Sequence, residues 1–193
     1  MKNIKFLLGT IAAISITGAA LAHGGATGIV KERMDGMSAM GSAVKVLSEM
    51  MRGNVDYDPE VVKENALKIQ VHAGEQLSKL FPEGSDGGPS EAKLEIWSNW
   101  AEFEEISQQL KIYAQALEKA APNGLMMQQG TTTSMMGDGG MADGAGMMSG
   151  SGMMGAKQEI DLATISAMPA DGVFNMLAQT CASCHSKFRL EKK

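Results

Sequence analysis

The sequence predicts an all-α protein, an antiparallel four-helix bundle, and three observations carry that reading. Four stretches repeat apolar residues at the three-four spacing of a helix face. Nothing between them shows the apolar-polar alternation of strands. Gly53-Asn54, Phe81-Pro82 and Pro122 punctuate the chain where one stretch should give way to the next.

The first helix is expected from Val30, Met34, Met37, Gly41, Val44, Leu47 and Met51, one stripe that ends near Gly53-Asn54. The second opens at Asp58-Pro59, a capping side chain followed by proline at the first helical position. Its stripe is Val62, Ala66, Ile69, Ala73, Leu77 and Leu80, stopping at Phe81-Pro82. For the third, Ser90 is read as the cap, and Ile96, Trp100, Phe103, Ser107, Leu110, Ala114 and Leu117 recur before Pro122. The fourth follows Pro169-Ala170-Asp171, with Val173, Leu177, Cys181, Cys184 and Phe188 on one face. Facing stripes of this kind bury one another.

Between the third and fourth helices the composition changes. Residues 124 to 155 hold ten glycines, nine methionines and no aromatic residue in 32 positions. Such a stretch lacks the apolar surface to offset the entropy of ordering it, so a flexible insert is expected. The remainder divides into 23–123, with helices one to three, and 156–193, with helix four. Soft thioethers favour monovalent copper, and His23 at a new N-terminus would add an amine and an imidazole. Copper binding by the insert is therefore one expectation; a linker whose methionines take up oxidants is the other.

Residues 1–22 read as a signal peptide. Lys2 and Lys5 precede an apolar run, and Ala20-Leu21-Ala22 fits the small-residue cleavage pattern. Export to a periplasm is expected, and no later window is apolar enough to span a membrane. The formal net charge of the chain is −5. Losing two lysines with the leader takes it to about −7, which argues against a nucleic-acid partner.

CASCHSKFR at 181–189 contains both cysteines of the chain with His185 directly behind them. A structural zinc site would need a fourth ligand, and the other histidines, His23 and His72, stand at no zinc-finger spacing. A thioredoxin-like pair would follow a strand, and a disulfide closing so short a loop would constrain little. The pattern that uses all three residues is covalent attachment of a c-type haem, one thioether each from Cys181 and Cys184, with His185 beneath the iron.

Ile29 to Arg33 with Met37, the Leu77-Ser78-Lys79-Leu80-Phe81-Pro82 run, Ile96-Trp97 with Phe103, and CASCHSKFR together resemble the class II cytochromes c. These comprise the cytochromes c prime and their low-spin relatives, four-helix bundles with the haem motif in the last helix. The resemblance implies that His185 is the proximal ligand and that the residue four after the helix-one arginine, Met37, faces the other side of the haem. Arg33, on the same helix face, would meet a haem propionate. Met34 stands where the family often has glutamine.

A methionine completing a histidine-methionine pair raises the potential and suits single-electron transfer with redox partner proteins. A distal residue that leaves the iron open would instead suit binding of nitric oxide or other small gases. Met37 could also be plain core filler, and Met34 or Met40 could replace it only if the helix rotated. Arg189 is expected on the last helix near the haem edge, as a tuning charge or as a cation favouring the helix C-terminus. His72 reads as a boundary residue, Trp97 and Trp100 as core or haem-pocket packing. No nucleophile is paired with a base, so no enzyme is expected. The resemblance also implies pairing of two copies through the first two helices.

Overall fold

The computed structural model describes residues 25–126 and 161–191. The signal peptide, His23, the insert from 127 onward and the two terminal lysines lie outside the described residues, and with them the expectation about copper. The chain forms α1 (Gly28–Met51), α2 (Pro59–Gln70), α3 (Glu75–Ser78), α4 (Glu95–Ser98), α5 (Trp100–Ala120), α6 (Leu162–Ser166) and α7 (Ala170–Phe188). A 3-10 turn, Ala121–Asn123, ends α5 where Pro122 cannot continue the helix. The four long helices make the bundle. α5 is its centre, packed on α2, α6 and α7, while α1 packs on α2 and α7.

Local chemistry explains the starts. Asp58 accepts from the N–H groups of Glu60 (2.8 Å) and Val61 (3.3 Å), capping α2 as its sequence suggests. Asp161 caps α6 in the same way, accepting from Ala163 at 3.0 Å and Thr164 at 3.2 Å. The sequence reading did not separate that short helix.

Three expectations need correction. The buried stripe of α1 is Arg33, Gly36, Met40, Ala43, Leu47 and Met50, so the helix is rolled by about one residue from the phase expected. The second helix does not continue to Leu80, because Gly74 takes φ +67° between α2 and α3. There its N–H donates to Ser107 O at 3.0 Å and its carbonyl accepts from Ser107 Oγ at 2.8 Å, a close approach of α5. Ser90 caps no helix. It is buried in the loop before α4, where its hydroxyl accepts from Arg33 and from Ala92 N–H.

Two apolar clusters result. The larger fills the middle of the bundle around Leu47, Val62, Ile69, Leu117, Val173 and Leu177. The smaller, Leu77, Phe81, Ile96, Phe103 and Phe188, is largely aromatic. Phe103 is its hub, with ring centroids 4.9 Å from Phe81, 5.6 Å from Trp100 and 5.5 Å from Phe188. Met37 packs against both clusters. Trp97 and Trp100 pack on the aromatic one, and Trp97 Nε1–H donates to Phe81 O at 3.0 Å.

Candidate functional site

The aromatic cluster forms the floor of a cleft of about 430 Å³, within the span of roughly 300–1,000 Å³ typical of small-molecule and cofactor sites. α1 supplies Arg33, Met34, Met37, Ser38 and Gly41 to its lining. Phe81, Glu91, Ala92, Ile96 and Phe103 complete the middle, and Cys184, His185, Phe188 and Arg189 come from the end of α7. Met34, Met37 and Gly41, expected on the buried stripe of the first helix, thus face the cleft.

Cys181 and Cys184 are half-buried free thiols, one turn apart. Cys181 packs on the main cluster and Cys184 on the aromatic one. Burial raises the pKa of both, and at Cys184 the neighbouring Cys181 adds to the effect, taking it to about 11. Neither thiol is therefore an activated thiolate at neutral pH. His185 sits at the exposed rim, and its pKa is held below the usual histidine value. Partial burial is the main cause and Arg189 the second, while Glu91 opposes them. The imidazole is neutral at pH 7 and keeps a lone pair for a metal. Among the described residues no group of three or more histidine, cysteine, aspartate or glutamate side chains could hold a metal ion by itself.

Arg33 is not a solvated charge but is 4% exposed. Nη1 donates to Leu80 O (3.1 Å) and Ser85 Oγ (2.8 Å), and Nη2 to Ser85 O and to Ser90 Oγ (2.5 Å). Its guanidinium carbon stands 4.7 Å from the centroid of Phe81. All four acceptors are neutral, and burial lowers the pKa of the group while the charge of Asp86 opposes the shift. A buried cation of this kind on a cleft wall is suited to an anionic group of a ligand.

Arg189 lies just past the end of α7 rather than on it, extended at φ −112° and ψ 135°. Its N–H caps the helix by donating to His185 O at 3.1 Å, and its Nε reaches Glu91 Oε2 at 3.2 Å. Met40 is core, 6% exposed, and does not line the cleft. Met34 lines it beside Met37, so it would need no rotation of the helix. His72 is a half-buried boundary residue, its Nδ1 3.2 Å from where a Cβ on Gly36 would stand. The two tryptophans lie behind the aromatic wall rather than in the cleft lining. Glu91 was not expected, because a single acidic residue in a loop has no periodicity to mark it.

These features fit a haem. The floor is aromatic, two thiols and an imidazole share one helix end, and a cation lies on the wall. At Gly41 a Cβ would meet nothing within 4 Å, so the glycine keeps that wall clear.

A family model described as Cytochrome C′ matches residues 28–139, more than half of the chain. The chain belongs to the cytochrome c′ family. It is a c-type haem protein, and family members bind one haem c covalently. The matched span stops before Cys181-His185, consistent with the long insert ahead of the last helix. Cytochrome c′ of Rhodopseudomonas palustris is 28% identical over 116 residues, 60% of this chain and 78% of the relative. Cytochrome c′ of Pararhodospirillum photometricum is 30% identical over 109 residues, 56% of this chain and 86% of the relative. The solved cytochrome c′ from Rhodopseudomonas palustris aligns at a TM-score of 0.58 and 21% identity, covering 87% of this chain and 100% of that one, which bears on the fold alone. Among the described residues no helix is long and apolar enough to cross a membrane.

Proposed function

We propose that this protein carries single electrons between redox partner proteins, with His185 and Met37 as the two axial ligands of its iron. The observation that carries the reading is that the two side chains, from opposite ends of the chain, line the same cleft. When bound, the haem supplies an iron that takes up and returns one electron.

The chain's own groups suit that task. Cys181 and Cys184 offer attachment points on the rigid end of α7. The neutral imidazole of His185 offers a lone pair, and the thioether of Met37 a soft donor. Phe81, Phe103 and Phe188 exclude water, which favours a higher potential. Arg33 offers its charge to a propionate.

Absorption and paramagnetic resonance spectra of the haem-loaded protein at neutral pH test the ligand pair. Low-spin iron is expected, and Met37→Ala should open it to carbon monoxide while Met34→Ala does not. A purely high-spin, five-coordinate ferric spectrum would sink the proposal.

A second reading is an open iron that captures small gases. A nitric oxide complex of a mutant cytochrome c prime from Alcaligenes xylosoxidans aligns with this chain at a TM-score of 0.55 and 20% identity. The same spectra decide between the two. We also infer export to the periplasm from the leader. Pairing of two copies through α1 and α2 is inferred too, supported by Val46 on α1, Leu67 on α2 and Val71 just past its end, which are 42%, 45% and 62% exposed.

A further inference from the structure

The proximal rim of the cleft is braced by a loop distant in sequence. Residues 91–93 run antiparallel beside the residues that end α7. Leu190 N–H donates to Glu91 O at 2.8 Å, Lys93 N–H donates to Phe188 O at 2.9 Å, and Ala92 and Arg189 form a bridge. Lys93 Nζ adds a bond to Ser186 O at 3.1 Å. This bracket fixes where Arg189 emerges, one turn beyond His185. The Glu91 carboxylate then meets the Arg189 guanidinium at 3.2 Å, and both residues line the cleft with His185.

We propose that Glu91 is a positioning residue for the proximal side of the haem, holding Arg189 beside His185 and balancing its charge there, so that the pair sets the iron's potential. The inference rests on His185 being the proximal ligand. The two side chains are 43% and 41% exposed. An ion pair so open to water contributes little to folding. Its effect should register at the cofactor instead, because outer-sphere charges next to a ligating histidine tune the metal. The two charges act with opposite signs. A guanidinium near His185 favours the reduced, more electron-rich iron, and a carboxylate favours the oxidised form. Removing the carboxylate while the bracket's backbone bonds remain leaves the guanidinium's influence in excess.

The test is a spectroelectrochemical titration of the haem-loaded protein with soluble mediators, for the parent, Glu91→Gln, Arg189→Gln and the double variant. At the poise where the parent is half reduced, Glu91→Gln should show a reduced-to-oxidised ratio about threefold higher, the scale of one half-exposed charge. For a one-electron couple that is roughly 28 mV, at 59 mV per tenfold. Arg189→Gln should move the ratio the other way, and the double variant should return near the parent. Thermal unfolding should be unchanged throughout, which a merely structural role would not leave so. An unmoved potential in Glu91→Gln with the parent's spectrum would overturn the inference, as would two single variants shifting in the same direction. If His185→Ala keeps the parent's haem spectrum, the ligand assignment itself falls, and that outcome is separate from an unmoved potential.

Discussion

Gly74→Ala is a stringent test of how the cleft wall is held in place. Gly74 stands at φ +67° and ψ −142°, a region that only glycine occupies freely. Forcing alanine into it costs about 1–3 kcal/mol. A Cβ there would lie 2.7 Å from Lys111 Cδ, 3.0 Å from Gln108 Oε1 and 3.3 Å from Lys111 Cβ. The lysine stem can swing away, but the Cβ of Lys111 moves only with the backbone of α5. That shift would strain the paired bonds between Gly74 and Ser107, each a net contribution of about 1 kcal/mol. The lower entropy of an unfolded alanine chain offsets roughly 0.4–1 kcal/mol. The net expectation is a loss of about 3 kcal/mol, or a fall in Tm of roughly 10 °C. Gly88 is the control. It has φ +67° as well, but a Cβ there would meet nothing within 4 Å. Gly88→Ala should therefore lose only about 1 kcal/mol. Thermal and urea unfolding of the haem-loaded proteins, followed by circular dichroism, measures both. A Gly74→Ala variant no less stable than Gly88→Ala would refute the claim that contact with α5 forces the break between α2 and α3.

Two further outcomes follow from the same structure. Arg33→Lys keeps the charge but loses the planar fork that reaches Leu80, Ser85 and Ser90. A loss of about 2 kcal/mol is expected, with faster proteolysis between residues 82 and 90, and a variant as stable and resistant as the parent would show that the fork does not clasp this loop. Tyr57 donates its hydroxyl to Ala121 O at 2.7 Å, and burial first, then Asp171, raises its pKa to about 12. Because the folded value lies above the unfolded one, the stabilisation is complete below pH ~10 and is lost as pH rises toward ~12. Discounted for partial exposure it amounts to about 1 kcal/mol. Urea unfolding across that range should slope downward in the parent and flatten in Tyr57→Phe, and equal slopes would remove the tyrosine from the account.

What was legible in the sequence was whatever is carried by neighbours along the chain. The three-four spacing announced the helices, Asp58-Pro59 the start of α2, and the CxxCH pattern a c-type haem protein, since each is a local arrangement with a local cause. The losses all came from partners far away. Ile69, Ala73 and Leu77 are buried on both sides of the Gly74 break, so the apolar period runs on through a helix that does not. That break depends on Ser107 and Lys111 of α5. Ser90 has the chemistry of a cap, and only its bond to Arg33 removes it from that role. Glu91 acquires a meaning only beside Arg189.

The displaced phase of α1 is the more informative error. Its inward positions include Arg33 and Gly36, which no hydrophobic scale would choose, so the apolar residues one step around the helix dominated the pattern. Those residues are Met34, Met37 and Gly41, and they line the cleft. α1 therefore presents apolar residues to α2 and α7 and also to the open cleft. In a cofactor protein, sequence periodicity records burial against the cofactor as well as against the chain. A helix whose apolar stripe disagrees in phase with its protein contacts points, by that disagreement, to the face the cofactor takes. Here that stripe carries Met37, the side chain proposed above as the partner of His185.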